Sequence, residues 1–399
     1  MRVRTAPTLF IIALLMDVCA GCVAMAMPLT LKSEFGLRDD LIGVIIGTTT
    51  IVYMVASTLT GMLADRWGPI FVLKTGVLII ALDCFVFSLS TNLGLFILCA
   101  FGSPLGHAFF WPAFQAWFSA DVDRKEIARR LGIFAVGWSI GLNVIGPKLS
   151  GDLMEKLARA PFSASWIIAV GVFLFFQIFK PELKRHEVHP TQEADEIYPV
   201  EIRRKFLTGA RLANLMAVYA LVTMRNFVPL LCVDWGLSPS SIGTLIMILG
   251  VSHSLSFLVL SMTHRWHYRL SYLMTGQFLG LLGLLSFALG GMFWLQNGEN
   301  GASSIAVPLV LPALVLSGLM AGIAFMSSAF YGLFGEEEKG KNSGINESVI
   351  GAANVLALYL GGGAVYSMGS FGPYWVCSFM IGLFILIQLR VLRRVGKAA

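Results

Sequence analysis

Apolar residues run through this chain in long stretches, separated by short polar segments that carry charge, proline or glycine. A helix needs about 20 mainly apolar residues to cross the hydrocarbon core of a bilayer. The pattern predicts such helices near 7–29, 41–63, 69–89, 94–118, 130–150 and 162–180. A second set follows near 209–231, 241–262, 268–292, 304–333, 344–366 and 372–391. Between the sets, 181–208 is polar, mixed in charge and punctuated by Pro181, Pro190 and Pro199. The reading is an all-α membrane protein of twelve transmembrane helices: one six-helix bundle in 1–180, a cytoplasmic linker in 181–208 and a second six-helix bundle in 209–399.

The second set repeats the first. Glu34-Phe35-Gly36-Leu37, then Ile42-Gly43, returns as Asp234-Trp235-Gly236-Leu237, then Ile242-Gly243. Asp65-Arg66-Trp67 returns as His264-Arg265-Trp266. Gly102, Gly106, Ala108, Phe109, Ala113, Phe114 and Phe118 align with Gly318, Gly322, Ala324, Phe325, Ala329, Phe330 and Phe334. The spacing grows between the second and fourth helices, and the extra residues fall around Asn297–Ser304, where a loop absorbs insertion at little cost. Duplication of an apolar chain predicts two pseudo-symmetric bundles with a substrate site between them, the architecture of membrane transporters.

Composition agrees. Hydrophobic residues make up 56% of the 399 residues and charged ones 13%, against roughly a quarter charged in soluble domains. Mean hydropathy is +0.77. The net charge of +6 does not point to nucleic acid, because the basic residues sit at membrane edges. With the N-terminus inside, only Lys32, Arg38, Lys156 and Arg159 fall in outer loops, and Lys148 and Arg225 within spans. Every other Lys and Arg lies on the cytoplasmic side, as the positive-inside rule requires. The six cysteines all lie in or beside apolar segments. Cys19-Ala-Gly-Cys22 has redox spacing but sits in a membrane helix, where the thiols serve as small packing groups. The N-terminal run from Pro7 to Pro28 is long enough to span and reads as an uncleaved first helix.

Two stretches carry a resemblance. Gly61-Met62-Leu63-Ala64-Asp65-Arg66-Trp67-Gly68 resembles the loop motif of the major facilitator superfamily (MFS), between helices two and three, without its trailing basic pair. Gly137-x3-Gly141-x4-Gly146-Pro147-Lys148-Leu149-Ser150-Gly151 resembles the glycine-proline antiporter motif of that family's exporters, with Ser150 in place of a glycine and Lys148 added. The family's arginine early in helix four is absent; Leu98-Cys99 stands there. The resemblance implies the MFS fold and a cytoplasmic gate in which Asp65, with Arg66, Arg129 and Arg130, meets the start of helix eleven. Gly61 would admit a close helix. A solvated turn is the alternative.

Charge inside the membrane costs about 2.5–3.5 kcal/mol per group, so each such residue asks for a partner or a function. Asp17 shares a face of helix one with Ala13, Ala20, Gly21 and Ala24; it binds a proton or a cationic group, or belongs to a buried pair. Arg225 on helix seven and Lys148 on helix five either attract an anionic solute, hold Asp17 ionised, or snorkel to solvent. Glu347 is a gate residue, a coupling carboxylate or a helix cap. Asp83 reads as structural. His107, Trp111 and Gln115 share a stripe of helix four, matched by Ile323, Ser327 and Tyr331 on helix ten; these suit an amphipathic organic solute or simple helix packing.

No catalytic set, nucleotide loop or metal cluster is visible in the sequence, so neither enzyme activity nor a cofactor is expected. The expected function is secondary active transport of a small organic solute by alternating access, as proton-linked export. Alternatives are import or exchange of an anionic metabolite, or a non-transporting receptor on the same fold. The expected setting is a monomer in the lipid bilayer of a bacterial inner membrane, both termini cytoplasmic.

Overall fold

The computed structural model describes residues 6–119, 130, 133–134, 136–178, 199–263, 265–296, 302–333 and 339–393. Its elements are α1 (Ala6–Ser33), α2 (Asp39–Trp67), α3 (Pro69–Leu89), α4 (Leu93–Ser119), α5 (Gly146–Lys156) and α6 (Ala160–Ile178). Then come α7 (Val200–Asp234), α8 (Pro239–Ser261), α9 (Leu270–Gln296), α10 (Ala302–Leu333), α11 (Lys339–Met368) and α12 (Gly372–Arg393). Helical residues 136–140 lead into α5 through a π-turn at Gly141–Ile145. No strand occurs among the described residues. Among the described residues, eleven helices have the length and composition of membrane spans; α5 is shorter, at 11 residues.

Two predicted boundaries move. α7 begins at Val200, so 200–208 belongs to a helix and not to the linker. Pro199 caps it in an extended conformation, and Glu201 pairs with Lys205 one turn on; these charged turns depress hydropathy without breaking the helix. α11 begins at Lys339, which puts Glu347 more than two turns inside, too deep for a cap. Residues 181–198 and 297–301 lie outside the described set.

Met1–Gly36, Thr48–Thr191 and Ser238–Met247 form one compact unit; Leu37–Gly47, Gln192–Leu237 and Ile248–Ala399 form the other. In the first, α1 packs on α5 and α6, and α3 on α4 and α6. In the second, α7 packs on α11 and α12, and α9 on α10 and α12. These four pairings recur six helices apart, and α7 packs in addition on α10. α1 and α7 are the most enclosed spans of their halves. Leu98, Ile167, Leu282 and Phe379 are exposed, the apolar surface a bilayer covers.

The duplicated Phe-Gly-Leu and Trp-Gly-Leu turns have one cause. Gly36 and Gly236 both take a positive φ, 66° and 72°, closing α1 and α7 in the left-handed cap that favours glycine. Beside each turn stands an aromatic cluster in matching register. Phe87 packs on Phe96 and Phe162, with Phe35 against Phe96; Phe287 packs on Trp235, Phe371 and Tyr374. The first cluster has an added clamp. Arg159 donates to Glu34 at 2.6 and 2.9 Å and to the Phe87 carbonyl at 3.0 Å. Its guanidinium also lies 5.0 Å from the Phe96 ring centre.

α1 and α5 meet along glycines. A Cβ on Gly146 would lie 2.7 Å from the Gly21 Cα, and one on Gly21 would lie 2.7 Å from the Leu142 carbonyl oxygen. Gly137 faces the Phe10 carbonyl, and Gly141 faces Asp17 and Leu14. Weak donors stitch the seam: Cys22 Sγ to the Gly146 carbonyl at 3.4 Å and Ser150 Oγ to the Cys22 carbonyl at 3.0 Å. Ser150 therefore replaces a glycine with a side chain that bonds across the contact. Cys19 donates likewise to Ser165 of α6. On the second half, Gln277 of α9 and Gln388 of α12 exchange two amide hydrogen bonds, 2.9 and 2.7 Å, in full burial. Gly61 behaves otherwise: no described atom lies within 4 Å of a Cβ there. Among the described residues, then, no helix comes close to Gly61.

Two stability outcomes follow. Gly146→Val should cost at least the ~1–3 kcal/mol of an overpacked core while Gly61→Ala changes little, read as melting temperature of the purified protein. Equal tolerance at both positions would refute the seam. Gln277→Leu should destabilise by about 1–2 kcal/mol by stranding Gln388, and Gln277→Leu/Gln388→Leu should recover most of it. A double variant no better than the single one would show that the pair is not what matters.

Candidate functional site

Asp17 sits on the α1–α5 seam. It is 1% exposed, and its Oδ2 has no hydrogen-bond partner among the described residues. Facing it is Gly141, the first residue of the π-turn, where a Cβ would come within 2.7 Å of the Asp17 Cβ. The turn is defined by the Gly146 N–H donating to the Gly141 carbonyl, one residue further back than in an α-helix. Such turns recur at functional sites because they insert a residue and re-aim its neighbours. Asn143, within it, is 4% exposed with an unpartnered Nδ2. Sequence reasoning missed Asn143; a lone amide in an apolar helix was the available signal.

The α4 stripe is graded. His107 is buried, Trp111 half-buried and Gln115 exposed. His107 Nδ1 lies 2.9 Å from the Ser103 carbonyl, leaving Nε2 buried without a described partner. Trp111 packs edge-on against Phe134, 5.5 Å between centres, so its ring is part of a helix contact. Tyr331, the expected α10 counterpart of Gln115, is engaged in packing. It is 4% exposed in a cluster with Phe206, Leu207, Leu260 and Trp266, and its hydroxyl accepts from the Tyr268 N–H at 2.9 Å. Tyr268 has a positive φ of 52°, strained for a bulky residue. Tyr331 thus holds the α8–α9 turn. Asp83 lies over Gly102, whose missing side chain leaves room for the carboxylate.

In the second unit, Arg225 lies among the buried residues Met224, Asn226, Phe227 and Val228 of α7, yet is itself partly exposed. No described residue gives it a hydrogen bond or ion pair. His253 of α8, 2% exposed, lies within electrostatic range of it. His253 was not singled out from the sequence, although an imidazole in mid-span was visible there. Asn214 does not join Arg225; it donates to Asn346 of α11 at 3.2 Å, and Ser328 of α10 donates to the same oxygen at 2.6 Å. Glu347, next along, is exposed.

Lys148 is engaged. It pairs with Asp152 one turn on and donates to Ser240 at 3.2 Å, while Ser240 donates to Asp152 at 2.5 Å. The Lys148 ammonium, with the Ser240 hydroxyl, holds the Asp152 carboxyl below the usual carboxylate range. A depressed carboxylate is ionised at neutral pH, and this contact loosens only as pH falls through that lowered value. Beside it, Gly151 and Gly243 meet Cα to Cβ position at 3.1 Å, and Gly243 faces the Pro147 carbonyl. Of the loop motif, Gly68 takes a φ of 85° ahead of Pro69 and Arg66 is exposed. Arg130 is half-buried. Arg129, His264 and the Asp65 side chain lie outside the described residues.

Comparison with known proteins now adds to this geometry. Multidrug resistance protein 1 of Bacillus subtilis (strain 168) is 23% identical over 164 residues, 41% of this chain and 42% of that protein. A probable L-galactonate transporter of Escherichia coli (strain K12) is 28% identical over 150 residues, 37% of this chain and 32% of that protein. The chain spans less than half the length of these curated relatives. The crystal structure of a bacterial homolog of the human lysosomal transporter Spinster, inward-facing and unoccupied, matches with a TM-score of 0.71. It covers 97% of this chain and 95% of that one at 13% identity, a likeness of fold. Residues 9–332 match the sequence model of the Major Facilitator Superfamily. The chain is a multi-pass membrane protein that belongs to the major facilitator superfamily of transporters.

Proposed function

We propose that the chain is a secondary active transporter that exports a small organic solute by alternating access in exchange for protons, with Asp17 carrying the proton. The observation behind this reading is the Asp17 carboxyl, enclosed at 1% exposure with an unpartnered oxygen. A carboxylate fixed in its charged form would lose hydration there with nothing in return. A carboxyl that is neutral when enclosed and ionised when wetted has no such penalty. The π-turn opposite it supplies a helix segment whose register can shift. An ion gradient is the driving force, and transport, not catalysis, is the activity. The name of Multidrug resistance protein 1 supports export of organic compounds. The bacterial relatives and the Lys and Arg distribution support a bacterial inner membrane location with both termini cytoplasmic.

The test is uphill transport of ethidium and of indole-3-acetate in proteoliposomes under an imposed pH gradient. Asp17→Asn should abolish accumulation against a gradient but keep downhill exchange, and Asp17→Glu should retain part of the coupled flux. An Asn variant that concentrates solute like the wild type removes Asp17 from the coupling step.

A further inference from the structure

We infer that the solute carries a carboxylate, and that Arg225 of α7, with His253 of α8 beside it, is the group that binds it. This rests on the transporter reading but not on Asp17. α7 is enclosed along most of its length: Val222, Thr223, Met224, Asn226, Phe227 and Val228 are all buried. In the middle of this enclosed stretch Arg225 alone keeps a residual exposed surface. Nine residues separate Arg225 from the end of α7 at Asp234, about 14 Å along the axis. Arg225 therefore lies well inside the helix and not in its last turn.

A guanidinium so placed normally has a carboxylate partner in the protein, and no described residue supplies one. The ionisable group that feels its charge adds no negative charge; it is the imidazole of His253. His253 is held firmly. Gly318 and Gly322 of α10 press against its backbone, and the Phe325 ring stands edge-on with centres 6.4 Å apart. The result is a fixed, electropositive spot with an aromatic wall. The planar fork of a guanidinium matches the two oxygens of a carboxylate, and Phe325 suits an apolar body attached to it. An anion leaving as a proton enters moves both charges in the direction an inside-negative potential favours, so the ligand class is compatible with proton exchange.

The test uses the purified full-length chain and matched probes: benzoate against benzamide, indole-3-acetate against indole-3-acetamide, and benzylamine as a cation. The acids should raise the melting temperature of the wild type, and the amides and the amine should not. Arg225→Gln should weaken acid binding roughly tenfold or more, as loss of a charged hydrogen-bonding group does, and Arg225→Lys should keep part of it. Should Arg225→Gln fail to elute as a folded species, Arg225→Lys and His253→Asn decide, each expected to weaken the acids alone. The inference is overturned if no acid binds the wild type, if acid and amide bind alike, or if the variants bind acids unchanged. A protein that selects acids without proton coupling would sink the Asp17 reading alone; one that couples protons but ignores the acid group would sink this one alone.

Discussion

Inside a bilayer nothing pushes one apolar helix onto another, since lipid tails solvate a leucine as well as a neighbouring helix does. The fold therefore depends on how closely backbones can approach, and glycine sets that limit. At Gly21 and Gly146 the chains of α1 and α5 come so near that a single Cβ would collide with backbone. Proximity then lets weak donors work: the Cys22 thiol and the Ser150 hydroxyl each reach a carbonyl across the seam. The second half achieves cohesion differently at its periphery, by a reciprocal amide pair between Gln277 and Gln388.

This constraint explains where chemistry is found. A seam made of glycine has no side chains of its own, so a polar group on one helix faces bare backbone on the other. Asp17 is such a group. It is enclosed by close packing and not by a counter-ion, which is why its carboxyl is both buried and unpaired. The π-turn beginning at Gly141 is the same economy in another form, since an inserted residue is tolerated only where nothing bulky opposes it.

Much of this was legible in the sequence, and the reasons differ by residue. The repeat around Gly36 and Gly236 was visible because a left-handed cap restricts the residue that can occupy it, so the pattern survives divergence. The antiporter-type glycines were visible for the same steric reason. The start of α7 was not, because Glu201, Arg203, Arg204 and Lys205 lower hydropathy while leaving helix propensity intact. Nor was the packing of Tyr331, because stripe spacing locates a face without saying what covers it. The open surroundings of Gly61 were hidden as well, because a motif glycine does not itself say what lies beside it. His253 escaped notice since its meaning comes from Arg225 on a different helix, and no spacing rule links 225 to 253.

Duplication supplies two equivalent central helices, but their ionisable groups are not equivalent. In the common register Asp17 corresponds to Ala217, and Arg225 to Met25, so each charge stands where the other half has an apolar residue. The two groups also lie at different depths along their helices, by about 12 Å at 1.5 Å per residue. Had both halves kept a charge at one level, each would have needed the same surroundings, and the glycine seam that encloses Asp17 has no equivalent at Arg225. One half instead carries a carboxyl shut away by close packing and the other a partly exposed guanidinium with no partner among the described residues. In the proposed reading the carboxyl exchanges protons, which are small enough to enter a tight seam, and the guanidinium takes a larger anion. That reading divides the chemistry between the two copies of a scaffold whose backbone geometry they share.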